Sequence, residues 1–359
     1  MNELFDEYNL HQKFKAIIKS KPMKNSITKI ATVITLLLCN AFYAQNIITV
    51  DNNVNSSANY TSLQTAIDNA QANDYIYLYP SETTYGNATC AKKLHFRGIG
   101  HTPEATNGIK GIINVLTFGT NASASSVAGL ELTQINISAV VHNLVIENNK
   151  IGYISSDRDA DNWVIRGNVI ENQIISSTLS NNWQILNNYI SGGNYYIFNS
   201  LRADSFVSNN IIVCTSGVSI FSNCYNVASN NLFLAQNATY TALNISGSAS
   251  NVVFSNNLTY NTSGTTLATL PGTGNYNNTN PSFVLAPTLT SYSVTNDYHS
   301  SNATLLGTDG TTIGIYGLNF PFSKRGYSFS MPYIESMTIL NPTIPANGTL
   351  QINLTAKSN

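Results

Sequence analysis

Val145-Ile146-Glu147-Asn148-Asn149-Lys150-Ile151 is the clearest copy of a phrase that recurs between residues 143 and 258. Two apolar residues and a polar one lead into Asn-Asn or Gly-Asn, then any residue, then an apolar one. The next copies are Val164-Ile165-Arg166-Gly167-Asn168-Val169-Ile170 and Ile185-Leu186-Asn187-Asn188-Tyr189-Ile190. Phe206-Val207-Ser208-Asn209-Asn210-Ile211-Ile212, Val227-Ala228-Ser229-Asn230-Asn231-Leu232-Phe233 and Val253-Phe254-Ser255-Asn256-Asn257-Leu258 complete the series. The second Asn falls at 149, 168, 188, 210, 231 and 257, so the steps are 19, 20, 22, 21 and 26. A repeat of roughly 20 residues is the mark of a solenoid.

The repeat holds no long segment of helical period. It offers short runs of strand-forming residues cut by Asn, Ser and Gly, which is strand-and-turn chemistry. Asn enters the left-handed region at low cost, so the Asn-Asn pair can turn a sharp corner between strands. Stacked coils place each corner about 4.8 Å above the last, and identical Asn side chains at that spacing can bond amide to amide. A buried Asn needs such a partner, because an unsatisfied amide costs a few kcal/mol.

Aligned on the second Asn, the repeats also supply an interior. Leu144, Trp163, Trp183, Ser205, Asn226 and Val252 form one column; Ile146, Ile165, Ile185, Val207, Ala228 and Phe254 form another. Alternate strand residues share a face, so both columns are expected inside. The intervening column, Val145, Val164, Gln184, Phe206, Val227 and Val253, is expected outside although it is largely apolar. A strand face open to water is ordinarily polar, so this stripe is expected to be covered. The expected cover is the aromatic tail with Phe320, Phe322, Tyr327 and Phe329; otherwise the stripe contacts a partner.

On these residues the chain resembles the right-handed parallel β-helix proteins, the superfamily that includes pectate and pectin lyases. The resemblance implies an all-β solenoid with about three strands per coil and an Asn ladder at one turn. It is specific for fold and says little of activity.

Only 10% of the residues are charged, against roughly one quarter in ordinary soluble proteins. Residues 1–44 divide into an upstream extension and, from Met23, a signal-peptide pattern: Lys24 and Lys29, the apolar run Ile30–Leu38, then Asn40-Ala41-Phe42-Tyr43-Ala44. The run is too short to span a bilayer, so no transmembrane segment is expected after cleavage, and the protein is expected to be secreted or displayed on the outer cell surface. Beyond Ala44, eleven basic and fifteen acidic residues leave a net charge of about −4, which argues against nucleic acid as a partner. Three cysteines remain there, Cys90, Cys214 and Cys224; the last two could bridge in an exported protein, or all three are buried small residues.

Residues 45–110 read as an N-terminal cap and first coils. Leu63, Ala66, Ile67 and Ala70 form a helical stripe within Ser62–Ala72, fitted to cover the open end of the first coil. Residues 111–320 read as the parallel β-helix, with Thr262–Asn280 as a loop. Residues 321–359 read as a C-terminal cap. The phrase Asp309-Gly310-Thr311-Thr312-Ile313-Gly314-Ile315-Tyr316-Gly317 resembles the closing segment of secreted bacterial β-helix proteins, and the last residues alternate as a final hairpin.

Asp157-Arg158-Asp159-Ala160-Asp161-Asn162 is the sharpest polar cluster. Asp157, Asp159 and Asp161 could give oxygen ligands to Ca²⁺, though the Gly and distal Glu of an EF-hand are missing; the other reading is a solvated turn held by Arg158. Resemblance to pectate lyases implies Ca²⁺-binding acids with a basic residue that abstracts a proton beside a uronic carboxylate. Arg158, Arg166, Arg202 and Asp204 would then join the three acids. No family catalytic motif matches residue by residue, and no acid pair of the glycoside-hydrolase kind is visible. His95, His101, His142 and His299 are scattered and read as structural, and Trp163 and Trp183 as core. Tyr153, Tyr189, Tyr195, Tyr196 and Tyr225 are expected as exposed aromatics. The expected function is non-catalytic binding of a polysaccharide or another surface. The alternatives are a polysaccharide lyase or glycoside hydrolase acting on the solenoid side, and an adhesin.

Overall fold

Ten short strands, each one rung above the last, form one all-parallel sheet. They are Ile47–Val50, Tyr75–Leu78, His95–Arg97, Ser126–Ala128, Val145–Glu147, Val164–Arg166, Gln184–Leu186, Phe206–Ser208, Val227–Ser229 and Val253–Ser255. The structure is a computed structural model. It describes residues 45–359 except 105, 193–194, 215–217, 244–250, 288–290, 321, 328–332, 342, 346 and 358–359. The extension, the signal-like segment from Met23 and Phe329 lie outside the described residues. Residues from Ile47 onward form one compact unit. A second sheet of twelve strands closes the coil. Its Lys150–Ser155 strand pairs with both Val169–Ile170 and Ile174–Ile175. From that rung on, the sheet runs as two ribbons, giving three strands per coil. The fold is a right-handed parallel β-helix. Among the described residues no helix is long and apolar enough to cross a membrane.

The two Asn of each phrase have different tasks. The first turns the corner: Asn148, Asn187, Asn209, Asn230 and Asn256 have φ between 53° and 58°, and Gly167 substitutes with 64°. The second points inward. Asn149, Asn168, Asn188, Asn210, Asn231 and Asn257 are all fully buried. The Asn168 backbone N–H and its Nδ2 both donate to Asn188 Oδ1, at 2.9 and 3.0 Å. The same pair of bonds links Asn149 to Asn168, Asn188 to Asn210, Asn210 to Asn231, and Asn231 to Asn257. The ladder begins on the Leu130 N–H and ends on Asn275, in the segment expected to be only loop. Each Nδ2 also reaches a strand carbonyl one rung down, as Asn168 does to Ile146. Within the ladder no amide is left to bear the desolvation penalty, whereas at the corner Asn148 Nδ2 and Oδ1 are buried without a partner. A further corner also uses left-handed Asn, at Asn143, Asn162 and Asn182, with Asn182 Nδ2 donating to Asn162 Oδ1 at 2.9 Å.

The expected inward columns are inward. Trp163 and Trp183 are fully buried and stack at 4.6 Å with planes 10° apart; their indole N–H groups donate to Val141 and Ala160 carbonyls. Among the described residues the single helix, Leu63–Asn69, is capped by Ser62, whose hydroxyl accepts the Thr65 N–H. Its buried stripe of Leu63, Ala66 and Ile67 closes the first coil. A final antiparallel hairpin, Tyr333–Ile339 with Ile352–Lys357, forms at the other end of the chain.

The tail does not cover the stripe of Val145, Val164, Phe206, Val227 and Val253. Phe206 and Val253 are 44% and 56% exposed, and the others of that column are half-buried. The tail covers the second sheet instead. Val169, Tyr189, Ile211, Leu232 and Leu258, one place after each ladder Asn, point outward and form a second core with Tyr298, Leu305, Ile313, Ile315 and Phe322. The sequence phrase admits any residue at that position. It is apolar in five successive rungs, and a covered face requires that.

Residues 305–320 and 322–327 run as a strap down the corner column, from the ninth rung back to the third. Thr308 N–H donates to Asn230 Oδ1 at 3.0 Å, and Asn187 Nδ2 donates to the Ile315 and Gly317 carbonyls at 3.0 and 2.7 Å. Phe320 lies over Gly167, where a Cβ would sit 2.6 Å from its ring. The strap ends at Arg325, whose carbonyl accepts the Thr102 N–H at 3.1 Å. Gly in place of Asn at 167 is thus a socket for an aromatic ring.

Candidate functional site

The acidic turn does not gather its carboxylates. Asp157 and Arg158 are exposed and only 3.9 Å apart at their nearest charged atoms, a separation of little energetic weight at the surface. Asp161 accepts from the Asn181 N–H and Nδ2 at 2.8 and 3.1 Å and lies 3.6 Å from His142. Asp159 has one buried carboxylate oxygen without a hydrogen-bond partner. Among the described residues no three His, Cys, Asp or Glu side chains converge to hold a metal ion. Arg202 and Asp204 stand exposed on the turn before Ser205. Arg166 is not with them. It lies on the first sheet and pairs with Glu147 at 2.7 Å.

Cys90, Cys214 and Cys224 are buried thiols, none of them in a disulfide. Burial raises all three thiols, Cys90 and Cys224 to about 11, so none is a ready thiolate. Of the tyrosines expected at the surface, Tyr195 is 78% exposed and Tyr225 is exposed too. Tyr189 is buried in the second core, and burial drives its hydroxyl pKa strongly upward.

The outer face of the first sheet carries a dense set of polar and aromatic side chains that the sheet register itself aligns. One column runs Tyr75, His95, Ser126, Val145, Val164; the next runs Tyr77, Arg97, Ala128, Glu147, Arg166. His95 Nδ1 and Ser126 Oγ are 2.8 Å apart. Arg97 Nη1 donates to the same Oγ at 2.8 Å and to the Phe96 carbonyl at 2.8 Å. The Tyr75 ring lies 4.8 Å from the His95 ring and 5.2 Å from the Arg97 guanidinium. Small Ala128 separates Arg97 from Glu147, whose charge favours the guanidinium while burial opposes it. Glu147 holds Arg166, which lies 4.3 Å from the Phe320 ring centre. Burial, then Arg97 and Lys93, lower the His95 imidazole to about 4, so it is neutral at neutral pH. Tyr77 and Tyr79 extend the aromatic block edge to face at 5.8 Å.

Sequence reading missed this cluster. His95 and Ser126 lie 31 residues apart, in early coils that lack the Asn-Asn phrase, so no alignment brought them together. The only available signal was the alternation Tyr75-Ile76-Tyr77-Leu78 and His95-Phe96-Arg97, which puts the polar members on one face.

No protein-family model matches this chain, and no curated protein or solved structure is significantly similar to it. Fold and site therefore define a class only: a parallel β-helix with one face covered by its tail and one partly exposed.

Proposed function

We propose that this protein binds an extended carbohydrate chain outside the cell, laid along the outer face of the first sheet. The observation that carries the reading is the asymmetry of cover. The tail buries the outer face of the second sheet and leaves the column from Val145 to Val253 on the first partly exposed, most of all at Phe206 and Val253. Ten rungs at about 4.8 Å make a track of about 43 Å, suited to a linear polymer. Tyr75, Tyr77 and Tyr79 offer ring faces for sugars at one end, with Arg97 fixed beside them. The apolar stripe continues the track to Val253. The signal-like segment from Met23 supports an extracellular setting. The lyase reading draws no support from Arg158, Arg202 and Asp204, which stand apart in solvent on other turns.

Affinity electrophoresis and pull-down on a panel of neutral and acidic polysaccharides test this. Retention by at least one polymer is expected, weakened about tenfold or more by Tyr77→Ala or Phe206→Ala, the loss of one good aromatic contact. Absence of retention, or retention indifferent to both substitutions, sinks the reading.

A further inference from the structure

His95, Arg97 and Ser126 form a constellation that polymer binding does not require. His95 and Ser126 are register partners on adjacent strands, and Arg97 shares their outer face. A guanidinium can only donate. Ser126 Oγ therefore accepts from Arg97, and its own proton remains to be donated. In the tautomer with the imidazole proton on Nε2, that proton goes to His95 Nδ1, 2.8 Å away, and Nδ1 is a base. The Ser126 backbone does not compete, since its N–H donates to the Leu94 carbonyl at 3.1 Å. Both partners are held from the side, the imidazole and the guanidinium by the Tyr75 ring on the neighbouring strand, and the guanidinium also by its bond to the Phe96 carbonyl.

We propose that Ser126 is a nucleophile, with His95 as its general base and Arg97 as its electrostatic partner, and that the site cleaves carboxylic esters of small acyl groups. Ser126 Oγ attacks the ester carbonyl carbon while its proton passes to His95 Nδ1. The carbonyl oxygen takes up the electron pair and faces the Arg97 guanidinium. The bond to the alcohol oxygen then breaks, and His95 returns the proton to that oxygen. Water attacks the acyl-Ser126 carbonyl with His95 again accepting a proton, which passes back to Oγ as the acid departs. No cofactor or redox partner enters. A weakly basic imidazole suffices only for an acidified hydroxyl, and donation from Arg97 supplies that acidity. Ser126 is 6% exposed and has Val145 as its next neighbour in register, so only a small acyl group reaches Oγ. The proposal does not depend on carbohydrate binding.

The full chain is treated with a fluorophosphonate probe and assayed on p-nitrophenyl acetate. Covalent label on the peptide containing Ser126 is expected. Ser126→Ala should abolish both label and turnover, and His95→Gln should slow turnover about 100-fold, the usual worth of a positioned base. Ser126→Cys guards against a misfolded alanine variant. Its thiol should react with iodoacetamide about tenfold faster with His95 present than with His95→Gln added, because the thiolate is the reactive form. Label elsewhere, no label, or equal thiol rates overturns the proposal; polymer retention is read separately and does not bear on it.

Discussion

The outer faces of the two sheets are built from the same repeat and end in opposite states. On the second sheet, Val169, Tyr189, Ile211, Leu232 and Leu258 lie under the tail and contribute a core of their own. On the first, Val145, Val164, Phe206, Val227 and Val253 are comparably apolar and remain in water to differing degrees. Hydrophobicity of an outward column therefore does not by itself decide cover. The corner does. The strap is pinned by Asn187 and Asn230 amides and by the Phe320 socket at Gly167; from that line Leu305, Ile313, Ile315 and Phe322 reach the second sheet, while on the first Phe320 meets Arg166 at the corner.

The largest effect that can break this comparison comes from removing the cover. Truncation after Asn280 exposes five large apolar side chains, each contributing about 1.5–3 kcal/mol when buried. Dye binding, aggregation on size-exclusion chromatography and loss of the cooperative melt are expected. A truncated chain that stays monomeric with an unchanged melt would show that the strap is not a structural cover.

Single truncations come next. Leu232→Ala should lower stability in urea by about 2–5 kcal/mol, as buried leucines do. Val253→Ala on the bare face should cost about 0.5 kcal/mol or less. Equal losses would mean that both faces are covered in solution.

Acid sharpens the contrast a third way. Beneath the strap, burial, with Lys110 and Lys150 nearby, lowers the fully buried His101 to about 3 from an ordinary 6.5. As pH falls through 6.5 the unfolded chain takes up this proton and the folded chain does not, so stability is full above 6.5 and declines towards 3. His95 on the bare face acts in the same direction down to about 4. Thermal melts across this range should show the decline, and His101→Gln should flatten it more than His95→Gln does.

Smaller still is Gly167→Ala, at about 1–3 kcal/mol for strain at positive φ and contact with Phe320. Cleavage by trypsin at Lys324 or Arg325 should accelerate while the far-ultraviolet spectrum holds. The smallest effect is Phe206→Asp, within about 0.5 kcal/mol of the parent, whereas Ile211→Asp should prevent folding. A Phe206→Asp variant that precipitates would show that the bare face is occupied.

The solenoid was legible because its spacing carries the physics. Asn-Asn marks both a left-handed corner and a buried amide ladder, and Asn149 to Asn257 stand in one column. The final ladder member, Asn275, was hidden because its rung lacks the apolar residues before it. The covered face was misassigned because alternation tells inside from outside but not which outside receives the tail. Asp157, Asp159 and Asp161 alternate in sequence as calcium ligands do, yet their turn sends one carboxylate to solvent and another to Asn181. His95 and Ser126 could not be paired without the register of two irregular rungs.

A bare solenoid frays rung by rung, since each coil touches only its neighbours. The strap forbids that here. It ties Asn230 to Thr308 and Thr102 to Arg325, contacts separated by 78 and 223 residues, and its docking line exists only once rungs three to nine are stacked. Docking is thus expected to come late in folding, because long-range closure is slow. Once it is complete, the intervening rungs should exchange their amide hydrogens as one block, opening together or not at all.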